Sequence, residues 1–144
     1  MTPVDRIKDY LQRLCIEMGV EEKTLFNPKT ASWYFVMGSS TIEVFLTTQK
    51  NLHNEPQTFI RGMAALCAIP GDRRKQFELY KTVLAINATY LGYKISAEED
   101  RGLVCIISER NISGMDYYEM VTLIMDLGEW ADKLDKFLKE QFGE

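Results

Sequence analysis

The chain has 144 residues, 46% apolar and 26% charged, ordinary values for one globular domain with a real core. Its 17 basic and 21 acidic residues leave a net charge of −4, and the basic ones are scattered, which argues against nucleic-acid binding. No apolar run nears the ~20 residues of a membrane span, and the opening MTPVDRIKDYLQRL is too charged for a signal peptide, so a cytoplasmic protein is expected.

Thr2-Pro3-Val4-Asp5 is a helix start: Thr as cap, Pro at the first helical position, Asp at the third. The helix runs to Gly19, with Val4, Ile7, Tyr10, Leu11, Leu14, Cys15 and Met18 on one face and a lone Ile16 opposite. Residues 20–32 form a polar connection with a short extended piece at Thr24–Phe26.

Trp33–Met37 reads as a strand, Gly38-Ser39-Ser40 as a turn, and Thr41–Thr48 as the returning strand, the clearest hairpin in the chain. After the polar loop Gln49–Gln57, Phe59–Ile69 fits a buried strand or a short helix; the stop at Pro70-Gly71 favours a strand. Its Gly62, Ala64, Ala65 and Ala68 make a small-residue surface that another element can approach closely.

Gln76–Gly92 is the stretch around which the chain is organised. At ~100° per residue, Leu79, Tyr80, Val83, Leu84, Ile86, Ala88, Tyr90 and Leu91 join Phe77 in an apolar arc of roughly 200°. A surface helix normally buries a stripe somewhat over ~100° wide. The excess predicts a helix that meets the sheet on one flank and a second helix, or a second copy of the chain, on the other. Asn87 lies near the middle of that arc. It either fixes register with a partner or bonds locally, for instance to a neighbouring carbonyl.

Gly92–Ala97 and Leu103–Glu109 read as a second hairpin around the acidic loop Glu98–Gly102, which lacks the alternating ligands of a calcium site. Ser113–Asp116 caps a last helix from Asp116 to about Gln141, with Tyr117, Met120, Ile124, Leu127, Trp130, Leu134 and Leu138 on its apolar face. Tyr118 and Met125 share the polar side, where an aromatic and a Met either mark a partner surface or cover an edge of the body.

Catalytic and metal signatures are missing from the sequence. The single histidine, His53, sits in a polar loop without flanking ligands. Cys15, Cys67 and Cys105 are widely spaced among apolar residues, an odd count without a CxxC pair. No GK[ST] loop, GxSxG elbow or GxGxxG is present. No cofactor, metal or catalytic residue is expected.

The element order α-β-β-β-α-β-β-α resembles the type III secretion chaperone-like fold and, within it, the YbjN-domain family. The residues that carry the resemblance are Trp33-Tyr34-Phe35 before a Gly-Ser turn and Ile42-Glu43-Val44, the strand Phe59–Ile69 ending at Pro70, the helix Phe77–Tyr90 with Leu84, Ile86 and Asn87, Gly92-Tyr93-Lys94, and Trp130–Leu134. The resemblance spans nearly the whole chain, residues 1–144. It implies an α+β domain with an antiparallel sheet of about five strands and three helices, commonly a dimer and without a cofactor. Chaperones of this fold bind an extended segment of a partner protein; YbjN-type relatives are linked to sensory or stress regulation.

The expected function is therefore that of a non-catalytic protein-binding domain, chaperone-like or regulatory, acting as a homodimer. The two-fold contact is expected at Leu79, Val83, Ile86, Asn87 and Tyr90, and the partner surface among Met18, Met37, Met63, Tyr118 and Met125. Each of these methionines also fits as core filler. The rival expectations are a small-ligand sensor with an apolar pocket lined by some of Trp33, Phe35, Phe45 and Tyr93, and an enzyme working through carboxylates or Tyr.

Overall fold

A computed structural model of the chain describes residues 1–143. In chain order the elements are α1 Pro3–Glu17, α2 Glu22–Leu25, β1 Phe26–Asn27, β2 Ser32–Met37, β3 Ser40–Lys50, β4 Pro56–Ala68, α3 Arg73–Thr89, β5 Lys94–Glu98, β6 Leu103–Asn111 and α4 Tyr117–Phe142. The sheet is antiparallel and ordered β1-β2-β3-β4-β6-β5. It has six strands rather than about five. The additions are α2 and β1, of four and two residues, too short to impose a periodicity on the sequence.

The helix starts follow their capping chemistry. Thr2 Oγ1 accepts from Asp5 N at 3.1 Å while the Asp5 carboxylate reaches back to Thr2 N. Asp116 and Glu119 make the same reciprocal pair at α4, at 2.8 and 2.9 Å. Asp72 caps α3 by accepting from Lys75 N at 3.0 Å. That helix ends at Thr89 rather than Gly92, because Tyr90 already adopts an extended backbone.

The segment Phe59–Ile69 is a strand, extended backwards to Pro56 and ending at Ala68, with a register shift between Ala65 and Cys67. Its small residues do what their size allows. A Cβ on Gly62 would lie 2.7 Å from Leu127 Cδ2, so α4 rests directly on the β4 backbone. On the same face of the sheet, a Cβ on Gly128 of α4 would collide with Met37 Sδ.

Cross-strand register places Trp33, Phe35, Ile42, Val44, Ile60, Ala64, Val104, Ile106 and Ile95 on one face of the sheet, and all are buried. They share one core with Leu11 of α1, Leu79 and Val83 of α3, and Met120, Ile124 and Leu127 of α4. The three long helices thus lie on the same side. The opposite face presents Tyr34, Glu43, Phe45, Arg61, Met63 and Glu109. There the Glu109 carboxylate bridges Arg61 at 2.9 Å and Lys94 at 2.8 Å, and these cations hold it below the usual Glu range.

Candidate partner-binding surface

The wide apolar arc of α3 divides into two parts. Leu79 and Val83 are buried in the single chain, and Ile86 packs partly against the same core. Phe77 and Leu84 stand 63% and 67% exposed, with Ala88 on their line and Leu91 exposed just beyond the helix. Leu79 and Val83 are therefore core residues of one protomer, and the surplus width of the arc is left in solvent. Tyr90 stacks on Trp130 of α4 at 4.9 Å between ring centroids. Asn87 bonds to the backbone of Ile95 in β5, not outward.

Three of the five residues expected at the partner surface meet in one place. Met18 at the end of α1, Met37 at the end of β2 and Met125 on α4 line a depression of about 310 Å³, with Gly128 beneath and Glu129 and Asp132 on its rim. Thioether side chains there give a deformable apolar floor. Met63 lies on the opposite face of the sheet, paired in register with Glu43 and Ile107. Tyr118 is 69% exposed near the first turn of α4, beside Arg13. These two do not join the cluster. Helical spacing alone could not separate them, because the strand parity of Met37 and Met63 acquires meaning only once the sheet has a covered side.

The outer edge of β2 borders the same depression. The two residues of β1 pair only with Ser32 and Trp33, so no strand lies beside Tyr34–Met37 on that side among the described residues. The other edge of the sheet is occupied differently: the Asn87 amide accepts from Ile95 N at 2.8 Å and donates to Ile95 O at 3.1 Å, closing β5 against further pairing there.

Two polar latches hold the walls of the depression. Gly38, with φ +60°, makes the two-residue turn between β2 and β3, and a Cβ there would strike the Asp132 carboxylate. Asp132 Oδ1 accepts from Ser39 N at 2.8 Å, and Ser39 Oγ lies 2.8 Å from Asp132 Oδ1 and 2.7 Å from Asp135 Oδ2. The Ser39 N–H, then its hydroxyl and Lys136, pull the Asp132 carboxyl down to about 2. On the α1 side, Tyr117 Oη donates to Glu17 Oε2 at 2.7 Å, and Arg13 pairs with Glu17 at 3.0 Å while lying over the Tyr117 ring at 3.8 Å. Burial, followed by the Glu17 carboxylate, pushes the Tyr117 phenol up to about 12. Both groups act as fasteners between elements.

The aromatic residues expected to line a ligand pocket are dispersed. Trp33 and Phe35 are buried in the core, Phe45 is on the opposite face, and Tyr93 stacks on Trp130 at 5.3 Å. His53 is exposed in the β3–β4 loop, and Cys15, Cys67 and Cys105 are buried free thiols whose pKa burial raises. Among the described residues no cluster of three or more potential metal ligands occurs, and no helix is long and apolar enough to cross a membrane.

No family model matches the chain, and no curated protein matches it in sequence. Solved structures match it in shape. A chain in the crystal structure of the ExsC–ExsE complex superposes with a TM-score of 0.67 at 9% identity, over 96% of this chain and 97% of that one. The HopA1–SchA chaperone–effector complex gives 0.60 at 14% identity, over 90% and 93%. The Yersinia pestis type III secretion chaperone SycH, in complex with a stable fragment of YscM2, gives 0.55 at 12% identity, over 88% and 97%. The protein is thus an α+β chain with a six-stranded antiparallel sheet and the fold of type III secretion chaperones.

Proposed function

We propose that residues 1–144 act as one non-catalytic, cytoplasmic protein-binding domain of chaperone-like or regulatory type, which binds an extended segment of a partner protein. The observation that carries this reading is the convergence of Met18, Met37 and Met125 beside the unpaired outer edge of β2. Main-chain pairing along Tyr34–Met37 would hold the segment, and alternate side chains would enter the Met-lined depression. Its likeness to chains solved in complexes, among them a chaperone–effector complex and a chaperone bound to a fragment of another protein, supports the same reading.

The domain acts as a homodimer in this reading. Since Leu79 and Val83 are buried, the contact forms through Phe77, Leu84, Ala88 and Leu91, with Ile86 and Tyr90 at its margin. Exposed apolar side chains at seven-residue spacing are what a second helix covers.

The test is selection of a random peptide library displayed on phage, followed by fluorescence anisotropy of an enriched peptide on wild type and Met125→Lys. Losing one apolar side-chain pocket corresponds to ~1.5–3 kcal/mol, a weakening of at least about tenfold. Failure to enrich any peptide, or equal binding by the variant, would overturn the reading.

A further inference from the structure

The oxidisable sulfur of this chain is divided by access. Cys15, Cys67 and Cys105 are buried, so the thiols, ordinarily the first groups a peroxide attacks, are shielded. Met115 and Met120 are buried as well. Met18 and Met125, in contrast, line the open depression between α1, β2 and α4, and Met18 is 39% exposed. Met37 completes the floor, but its sulfur sits in the notch left by Gly128. Among the described residues no thiol or histidine lines the depression, so its thioethers have no competing nucleophile beside them.

Oxidation would change what this surface can hold. A thioether is apolar and flexible, whereas a sulfoxide is polar and chiral. On the floor of the depression the sulfoxide oxygen would be hydrated. An apolar side chain entering there would strip that water away without supplying a donor. The rim residues Glu129 and Asp132 are carboxylates, which accept hydrogen bonds and give none.

We propose that Met18 and Met125 form a reversible oxidation site, at which a peroxide releases the partner segment from the depression. One oxygen of hydrogen peroxide bonds to each sulfur as the O–O bond breaks; the sulfur loses two electrons, and the other oxygen leaves as water. A dithiol reductant reverses the step: its two thiols supply two electrons and two protons, the sulfoxide oxygen leaves as water, and a disulfide remains. The consequence for binding rests on the partner-binding reading, whereas the oxidation site rests on exposure and is testable without a partner.

The experiment treats the folded chain with dilute hydrogen peroxide and reads each methionine by peptide mass spectrometry, with Met1, 81% exposed, as the freely accessible standard. Met18 and Met125 should oxidise at least about tenfold faster than Met115 and Met120, with all three thiols still free. Rates equal to those of Met115 and Met120, or earlier loss of the thiols, would overturn the site. A phage-selected peptide should slow oxidation of Met18 and Met125 and leave Met1 and Met63 unchanged. Its affinity should fall about tenfold or more on oxidation, with an unchanged far-UV spectrum. Affinity should return after treatment with the two methionine sulfoxide reductases and dithiothreitol. Met18→Leu combined with Met125→Leu keeps the apolar floor, so it should bind the peptide and no longer respond to peroxide. Equal affinity of the oxidised wild type, an equal loss in the double variant, or a loss of fold would overturn the release step while leaving the partner-binding reading in place. If Met18 and Met125 oxidise selectively but no peptide enriches, the link to a partner segment falls and the oxidation site stands.

Discussion

The side-chain amide of Asn87 meets both backbone groups of Ile95, accepting from its N–H at 2.8 Å and donating to its carbonyl at 3.1 Å. A helix residue here stands in for one residue of a missing neighbouring strand. The contact closes the β5 edge and ties α3 to the sheet in the same stroke.

Replacing Asn87 with Ala should therefore strip two hydrogen bonds from a half-buried site and lower stability by ~1–3 kcal/mol in urea unfolding. Asn87→Asp keeps the acceptor for Ile95 N but sets a carboxylate oxygen against Ile95 O, so it too should be less stable than wild type. If Asn87→Ala changed the oligomeric mass and left stability untouched, the amide would be an intersubunit contact instead.

Gly128→Ala places a methyl where Met37 Sδ now lies. Because Met37 can swing aside only by disturbing the depression, a loss of ~1–3 kcal/mol is expected. Gly128→Ala combined with Met37→Ala should recover part of it, giving a coupling of at least ~0.5 kcal/mol in a double-mutant cycle. Additive losses would mean that the two residues do not touch.

The two latches set opposite pH limits. Asp132 has a folded pKa depressed to about 2, below the unfolded ~3.9. Its contribution is present above the unfolded value and is lost as pH falls toward 2. Tyr117 is raised to about 12 from an unfolded ~10, so its contribution is present below 10 and is lost as pH rises toward 12. Unfolding curves across pH should show the acid loss reduced in Asp132→Asn and the alkaline loss reduced in Tyr117→Phe, with the remainder left to groups such as Glu109 and Tyr93 that shift the same way. Unchanged limbs in the two variants would assign the losses to other groups.

Static light scattering across concentration should give twice the 16.6 kDa chain mass for wild type and a folded single-chain mass for Leu84→Glu. Leu84 is exposed in the protomer, so the substitution leaves the core alone. Leu79→Glu, in contrast, should unfold the chain, because Leu79 is fully buried. A wild-type mass of one chain at every concentration would remove the dimer.

Much of the fold is legible in the sequence where local chemistry decides. The capping pairs Thr2–Asp5 and Asp116–Glu119, the Gly38 turn and the small residues of β4 each carry their own physical signal. The α3 arc is legible as too wide, yet a helical wheel does not say which part faces the sheet. Leu79 and Leu84 look alike on it, and only the docking against β5 separates them. The candidate site is legible as residue type, adaptable methionines, but not as a place. Met18, Met37 and Met125 come from three elements whose meeting depends on the register of β2 and the seat of α4. The bond from Ser39 to Asp132 joins residues 93 positions apart and leaves no sequence signal.

The most direct test of the partner-binding reading is amide hydrogen exchange of the chain with and without a phage-selected peptide, read at Tyr34–Met37. The expected result is that the outward amides of β2, which no neighbouring strand covers, gain protection on binding, while Ile95 of the closed β5 edge does not change. Protection confined to β5 or to the opposite sheet face, with β2 exchanging as before, would contradict it.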